Sequence, residues 1–94
     1  MKLFEWNPEK DKLLKAQRVV GFKDIEKAII ENKLVAVVLH PNQQKYPGQK
    51  IFIVNINNYA YSVPYIEENN YYFLKTIYPN RKATKKYLGK ENNI

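Results

Sequence analysis

Arg81, Lys75, Lys82 and His40 are the side chains of this sequence best suited to chemistry. Three cations and an imidazole fit a reaction that needs no metal: attack of an RNA 2′-oxygen on the neighbouring phosphate. That reaction requires a base near the 2′-hydroxyl, cations around the extra charge of the phosphorane, and an acid for the departing 5′-oxygen. The Arg81 guanidinium matches phosphate oxygens with a planar fork and stays charged. Lys75 and Lys82 add charge, and a lysine surrounded by other cations can act as base or acid. His40 suits proton transfer near neutral pH. Around them, Lys50, Lys85 and Lys86 are expected to hold phosphates, and Asn55 and Ser62 to orient ribose or phosphate. Tyr78 and Tyr87 could stack on bases or donate a proton.

The distribution of charge supports this reading. From residue 71 onward six Lys/Arg (75, 81, 82, 85, 86, 90) face one acid, Glu91, which is +5 of the formal +7. Cations gathered beside a structured sheet favour a polyanion such as RNA or DNA. The first 32 residues hold seven bases and six acids and form a near-neutral layer. With 45% hydrophobic residues, eight Tyr among them, the chain is too apolar for a disordered basic tail. Its 94 residues make one domain, residues 1–94. There is no Cys, so disulfides, thiolate metal sites and a thiol nucleophile are excluded. One His cannot build a multi-histidine metal site, and no cofactor is expected. No apolar run reaches the ~20 residues of a membrane span, and the N-terminus lacks a signal-peptide core. A cytoplasmic protein is the expectation.

The elements that must position these groups are legible in outline. Residues 3–6 form a short strand. Asn7-Pro8-Glu9 then reads as an N-cap, a proline at the first helical position and an acid at the positive end of the helix. Helices are predicted over 8–17 and from Phe22 to about residue 32, and strands over 34–39, 50–56, 59–66 and 71–78. Asn57-Asn58 marks a hairpin turn that needs positive φ. Asn80 caps a short basic helix over 81–88, and Gly89 closes it. The expected class is α+β. Two N-terminal helices pack on one face of a mainly antiparallel four-stranded sheet, with room for a short extra strand at the N-terminus.

Tight turns give a register. Ile56 should face Tyr59, Ile53 face Ser62, Ile66 face Tyr71 and Ser62 face Lys75. Alternation then sorts the strands into two faces. Phe52, Val54, Ile56, Tyr61, Val63, Tyr72 and Leu74 make the bulkier face, which should receive the helices. Ile51, Ile53, Asn55, Ala60, Ser62, Pro64, Phe73, Lys75 and Ile77 make the other. A lysine there is costly to bury unpaired, so Lys75 is predicted to line an open groove on a largely bare face. A bulge near Pro64 would shift these faces.

Phe4-Glu5-Trp6-Asn7-Pro8-Glu9-Lys10 resembles the opening F-E-W-D-P-x-K of BrnT-type toxins from bacterial type II toxin–antitoxin systems. The twelve-residue step from Lys10 to Phe22 fits the same family. Ile77 to Ala83 (I-Y-P-N-R-K-A) resembles its I-I-S-A-R-K-A. The resemblance covers roughly a quarter of the chain. It implies a RelE/ParE-like fold, a metal-independent endoribonuclease that cleaves mRNA and inhibits translation, and a cognate antitoxin, usually a ribbon-helix-helix DNA-binding protein. It places Arg81 and Lys82 at the family's R-K positions and Lys10 at its N-terminal lysine, among the RNA-binding residues. Where the family often has K-H-G-V, this chain has Gln17-Arg18-Val19-Val20. That departure marks a divergent subgroup and turns attention to His40.

Each candidate also has a plainer structural explanation. His40 could be an exposed loop histidine, Lys82, Lys85 and Lys86 a solvated helix face, and the tyrosines core or edge residues. Two other functions therefore stand beside the toxin. One is an RNA-binding module that cleaves nothing. The other is a basic interaction domain for an acidic protein segment.

Overall fold

A computed structural model describes residues 2–89; Lys90 and Glu91, counted above in the basic cluster, lie outside the described residues. The chain runs β1 (Leu3–Trp6), α1 (Pro8–Arg18), α2 (Phe22–Ile30), β2 (Leu34–Leu39), β3 (Lys50–Ile56), β4 (Tyr59–Glu67), β5 (Tyr71–Leu74), β6 (Tyr78–Pro79) and α3 (Arg81–Leu88). It is an α+β fold with a mixed, mostly antiparallel sheet. The strand order is β1-β5-β4-β3-β2, with β6 paired to β4. The N-terminal strand is a full member: β1 lies parallel to β5, Leu3 opposite Tyr71 and Trp6 opposite Leu74.

Local chemistry sets the helix ends. The Asn7 Oδ1 accepts the backbone N–H groups of Glu9 (2.8 Å) and Lys10 (3.2 Å), and Pro8 takes the first turn where no N–H is needed. Between the two helices, Phe22 N–H donates to Asp11 Oδ1 and Gly21 N–H to Asp24 Oδ2, each at 2.8 Å. Gly21 lets this corner close, because a Cβ there would stand 2.8 Å from both Asp11 Oδ1 and Lys15 Cγ.

Asn57 and Asn58 both take positive φ, 54° and 65°, and pin the β3–β4 hairpin. Ile56 faces Tyr59 and Ile53 faces Ser62, as predicted. The β4–β5 pairing differs from the prediction by two residues: Ile66 faces Phe73, and Tyr65 faces Leu74. A shift of two preserves the faces. The larger correction concerns residues 75–79. Lys75 N–H donates to Pro64 C=O at 2.8 Å, but Pro64 has no N–H to return the bond. The ladder breaks at that point. When it resumes, Ser62 faces Tyr78, not Lys75, with one residue added to the outer strand. The predicted strand over 71–78 is thus two strands joined by a bulge.

The added residue reverses side-chain alternation. Ile77 joins the main core, not the second face, and is fully buried. That core lies between the sheet and α1/α2, with Leu14, Phe22, Ile25, Phe52, Val54, Val63 and Leu74 at its centre. The Trp6 ring stacks on Phe22, centroids 5.7 Å apart. The second face is not bare. There α3 packs Ala83, Tyr87 and Leu88 over Ile51, Ile53 and Ala60. β2 forms one rim of the sheet; it carries no charged residue, and Val37 (48%) and Leu39 (62%) remain exposed. Among the described residues, no helix is long and apolar enough to cross a membrane.

Two outcomes follow. Phe22→Ala should cost about 3–5 kcal/mol in denaturant unfolding, because the ring is wholly enclosed; a loss under about 1 kcal/mol would show that the α1/α2 layer is loosely packed. Burial, aided by Glu67 and Tyr72, pushes the Tyr65 hydroxyl from 10.0 up to about 12. Over that interval the folded protein keeps a proton that the unfolded chain has lost. Its contribution is therefore complete below pH 10 and lost as pH rises towards 12. Tyr65→Phe should flatten this alkaline fall in stability, and tyrosinate absorbance should show one ring ionising after the rest. Superimposable alkaline stability curves for wild type and variant would contradict the assignment.

Candidate functional site

The second face of the sheet gathers the chemistry. Registers place His40 beside Gln49, since His40 N–H donates to Gln49 C=O at 2.9 Å. The next row holds Val38, Ile51 and Pro64, and Lys75 follows through its bond to Pro64. The bulge returns Tyr78 to this same side, opposite Ser62. His40, Lys75 and Tyr78 thus line one cavity of about 270 Å³, together with Tyr46, Gln49, Pro64 and Thr76.

The 40–49 loop that forms one wall is built by its own side chains. Gln43 Nε2 donates to the carbonyls of His40 (2.7 Å) and Gln49 (3.2 Å), and its Oε1 accepts Gly48 N–H (3.0 Å). Asn42 Oδ1 accepts Lys45 N–H at 3.0 Å. Asn42 N–H donates to His40 Nδ1 at 3.1 Å, so the neutral ring carries its proton on Nε2. The His40 ring lies against Tyr46, centroids 4.5 Å apart. His40 therefore offers a donor, not a lone pair, at the nitrogen left over for a ligand.

The other wall is held by a polar clamp. Asn80 N–H donates to Ala60 C=O (2.9 Å), Asn80 Oδ1 accepts Ala83 N–H (2.9 Å), and Asn80 Nδ2 donates to Ser62 Oγ (2.9 Å). Ala60 N–H donates to Thr84 Oγ1 (2.9 Å), and that hydroxyl donates to Asn80 C=O (2.8 Å). The clamp fixes the start of α3 beside the cavity. Arg81 and Lys82 follow Tyr78 by three and four residues. Both are exposed in the first turn of α3 and are not lining residues of the cavity.

The remaining candidates are dispersed. Ser62 is 1% exposed and bonded to Asn80, so its hydroxyl serves the fold and cannot orient an RNA ribose as expected. Tyr87 spends much of its ring on the second core cluster, while Lys85 and Lys86 are exposed on α3. Lys50 pairs with Tyr65 and faces the α1/α2 side, and Lys10 lies in α1. Asn55 stands six residues along β3 from Gln49, about 20 Å away in an extended strand. Its Oδ1 is buried with no hydrogen-bond partner among the described residues. Sequence reasoning missed Tyr46, Gln49 and the brace Gln43. The polar composition of that loop was its only signal.

The electrostatics are one-sided. Residues 32–66 and 69–89 contain no Asp or Glu, so β3 and α3 carry cations without acids while β2 and β6 are uncharged; alternation along β1 puts Glu5 on the second face, opposite Phe73. Ion pairs among the described residues, Lys2–Glu67 at 2.6 Å and Lys23–Glu26 at 3.8 Å, involve none of the second-face cations. No three His, Asp or Glu side chains among the described residues gather into a metal-binding group.

Comparison with protein-family models, curated proteins and solved structures finds no match for this chain. The fold and cavity define an α+β protein with a cavity free of carboxylates on the face that carries α3. The two motif segments divide by role. In the first, Phe4 and Trp6 pack on the core, Asn7 caps α1 and Pro8 opens it. In the second, Ile77 and Ala83 are buried and Asn80 caps α3. Arg81 and Lys82 have no such structural duty.

They also sit against the local field. The first turn of α3 holds two cations and no acid, whereas the positive end of a helix favours anions. We predict that Arg81→Glu with Lys82→Glu raises folding stability by about 1 kcal/mol, read from urea unfolding. An unchanged or lower stability would mean that other groups neutralise this end.

Proposed function

We propose that this protein is a metal-independent endoribonuclease of the toxin type, with its cleavage centre in the His40–Lys75–Tyr78 cavity. The observation that carries the reading is the meeting of His40 with Lys75 and Tyr78 in one cavity whose lining holds no carboxylate. The cations of α3 extend the face that holds it. Resemblance of the segments at residues 4–10 and 77–83 to BrnT-type toxins supports the same class. It brings with it an expected ribbon-helix-helix antitoxin, whose acidic segment would neutralise the toxin by covering this face.

In this mechanism the RNA 2′-oxygen attacks phosphorus, and the bond from phosphorus to the 5′-oxygen breaks. The products are a 2′,3′-cyclic phosphate and a free 5′-hydroxyl. Lys75 stabilises the charge that grows on the phosphorane oxygens. Arg81 and Lys82 grip flanking phosphates. The Nε2–H of His40 hydrogen-bonds the departing 5′-oxygen, in keeping with its tautomer. Water takes the 2′-hydroxyl proton and delivers one to that oxygen as its bond to phosphorus breaks.

A second reading, RNA binding without cleavage, draws on the same geometry. The cavity lining contains no carboxylate, and the His40 tautomer presents no lone pair to accept the 2′-hydroxyl proton. Such a module would bind RNA with a steep dependence on salt and leave it intact.

Purified protein incubated with total RNA in EDTA decides between them. Wild type should cleave, His40→Gln and Lys75→Ala should each slow cleavage by about 10²-fold, and Arg81→Ala should weaken it further through substrate affinity. Induced expression should arrest growth for wild type and not for Lys75→Ala. Intact RNA with salt-sensitive binding would select the non-cleaving module. Tight capture of an acidic peptide with no affinity for RNA would discard both.

A further inference from the structure

A larger cavity, about 420 Å³, adjoins the first and is lined by residues 45–50 together with Tyr65, Ile66 and Glu67. Tyr46 and Gln49 line both, so one wall of the braced loop separates them. The volume lies within the roughly 300–1,000 Å³ common for small-molecule sites.

The chemistry of this second cavity is cationic at its mouth. Lys45 and Lys50 are both exposed, and Lys45 Nζ stands 5.5 Å from the Tyr46 ring centre. Its acid, Glu67, is already engaged, because Lys2 Nζ donates to it at 2.6 Å. That hydrogen bond, with added attraction from Lys2 and Lys50, holds the Glu67 carboxyl below its ordinary value, so it is ionised and matched at neutral pH. Tyr65 contributes a hydroxyl that stays protonated far above neutral pH. The loop supplies rigidity through Gln43 and Asn42, which tie its backbone at five points, counting the bond to His40.

We infer that the cavity beneath Lys45 and Lys50 is a second nucleotide subsite, which takes the nucleotide next to the one held at His40–Lys75 and grips its phosphate. The inference rests on the RNA-cleaving reading above. It adds a path that the sequence did not indicate: the strand leaves the second face over Tyr46 and passes round the open end of the sheet to Lys50. The ring of Tyr46, shared by both cavities, divides two successive bases. This path also gives Lys50 a role, although it lies on the opposite face from Lys75.

Fluorescence anisotropy with labelled, non-cleavable 2′-O-methyl RNA six nucleotides long tests the inference, with affinity followed against salt. Lys45→Gln with Lys50→Gln should flatten the log–log salt slope by about 0.7 for each phosphate that is no longer neutralised. The control, Lys12→Gln with Lys15→Gln on the exposed side of α1, removes the same charge and should leave the slope unchanged. A mononucleotide, too short to fill both cavities, should bind wild type and the Lys45/Lys50 variant alike at the first cavity. Equal flattening in the control would reduce the effect to net charge and overturn the subsite. So would an unchanged slope in the Lys45/Lys50 variant while Lys75→Ala flattens it, which would leave the first cavity standing. Absence of salt-dependent RNA binding in wild type would remove the functional reading itself, and the subsite with it.

Discussion

One missing hydrogen bond organises the second face of the sheet and the cavity on it. Pro64 accepts from Lys75 N–H at 2.8 Å but has nothing to donate in return. The outer strand therefore detaches after Leu74 and re-forms at Tyr78 with an extra residue. Without that residue, Lys75 and Tyr78, three apart, would point to opposite faces. With it they share one face, and Ile77 turns inward to seal the main core. A proline within a sheet is usually confined to an edge or a bulge. Here it sits in the central β4, and the bulge is its local solution, with Pro64 itself part of the cavity wall.

The second constraint is how α3 is attached. A helix of eight residues is too short to be stable alone, so its position must come from contacts. Thr84 supplies them by inserting its hydroxyl between Ala60 N–H and Asn80 C=O, where a strand would have closed the ladder directly. Asn80 completes the clamp through Ser62. Burying two hydroxyls is tolerable because each is hydrogen-bonded, Thr84 Oγ1 twice and Ser62 Oγ to Asn80. Ser62, which the sequence offered as a substrate contact, is a fastener, and the clamp leaves Arg81 and Lys82 standing in solvent.

Much of this was legible in the chain, and the boundary is physical. Asn7, Asn80, Gly89 and the Asn57-Asn58 turn act on backbone groups a few residues away, so their signals are local. The faces of β3 and β4 follow from alternation across a tight hairpin. The parallel pairing of β1 with β5 joins residues nearly seventy positions apart and leaves no short-range trace. The bulge is different again: Pro64 announces that a ladder bond is missing, but not where the partner strand will take up its spare residue. Ser62 failed as a candidate because its partner, Asn80, is brought to it by folding from eighteen positions away. Tyr46 and Gln49 were overlooked because a polar loop reads alike whether braced or loose; Gln43, with three bonds to the backbone, makes the difference.

The rim formed by β2 has a further consequence. Six uncharged residues, Leu34 to Leu39, present open amides and carbonyls with no lysine or proline to discourage a neighbouring molecule. Mutual repulsion between like-charged copies is then the main guard against self-association, and the formal +7 provides it. Added electrolyte shortens the reach of that repulsion. Colloidal behaviour thus draws on the basic surface, and neutralising that surface leaves the bare rim without its guard.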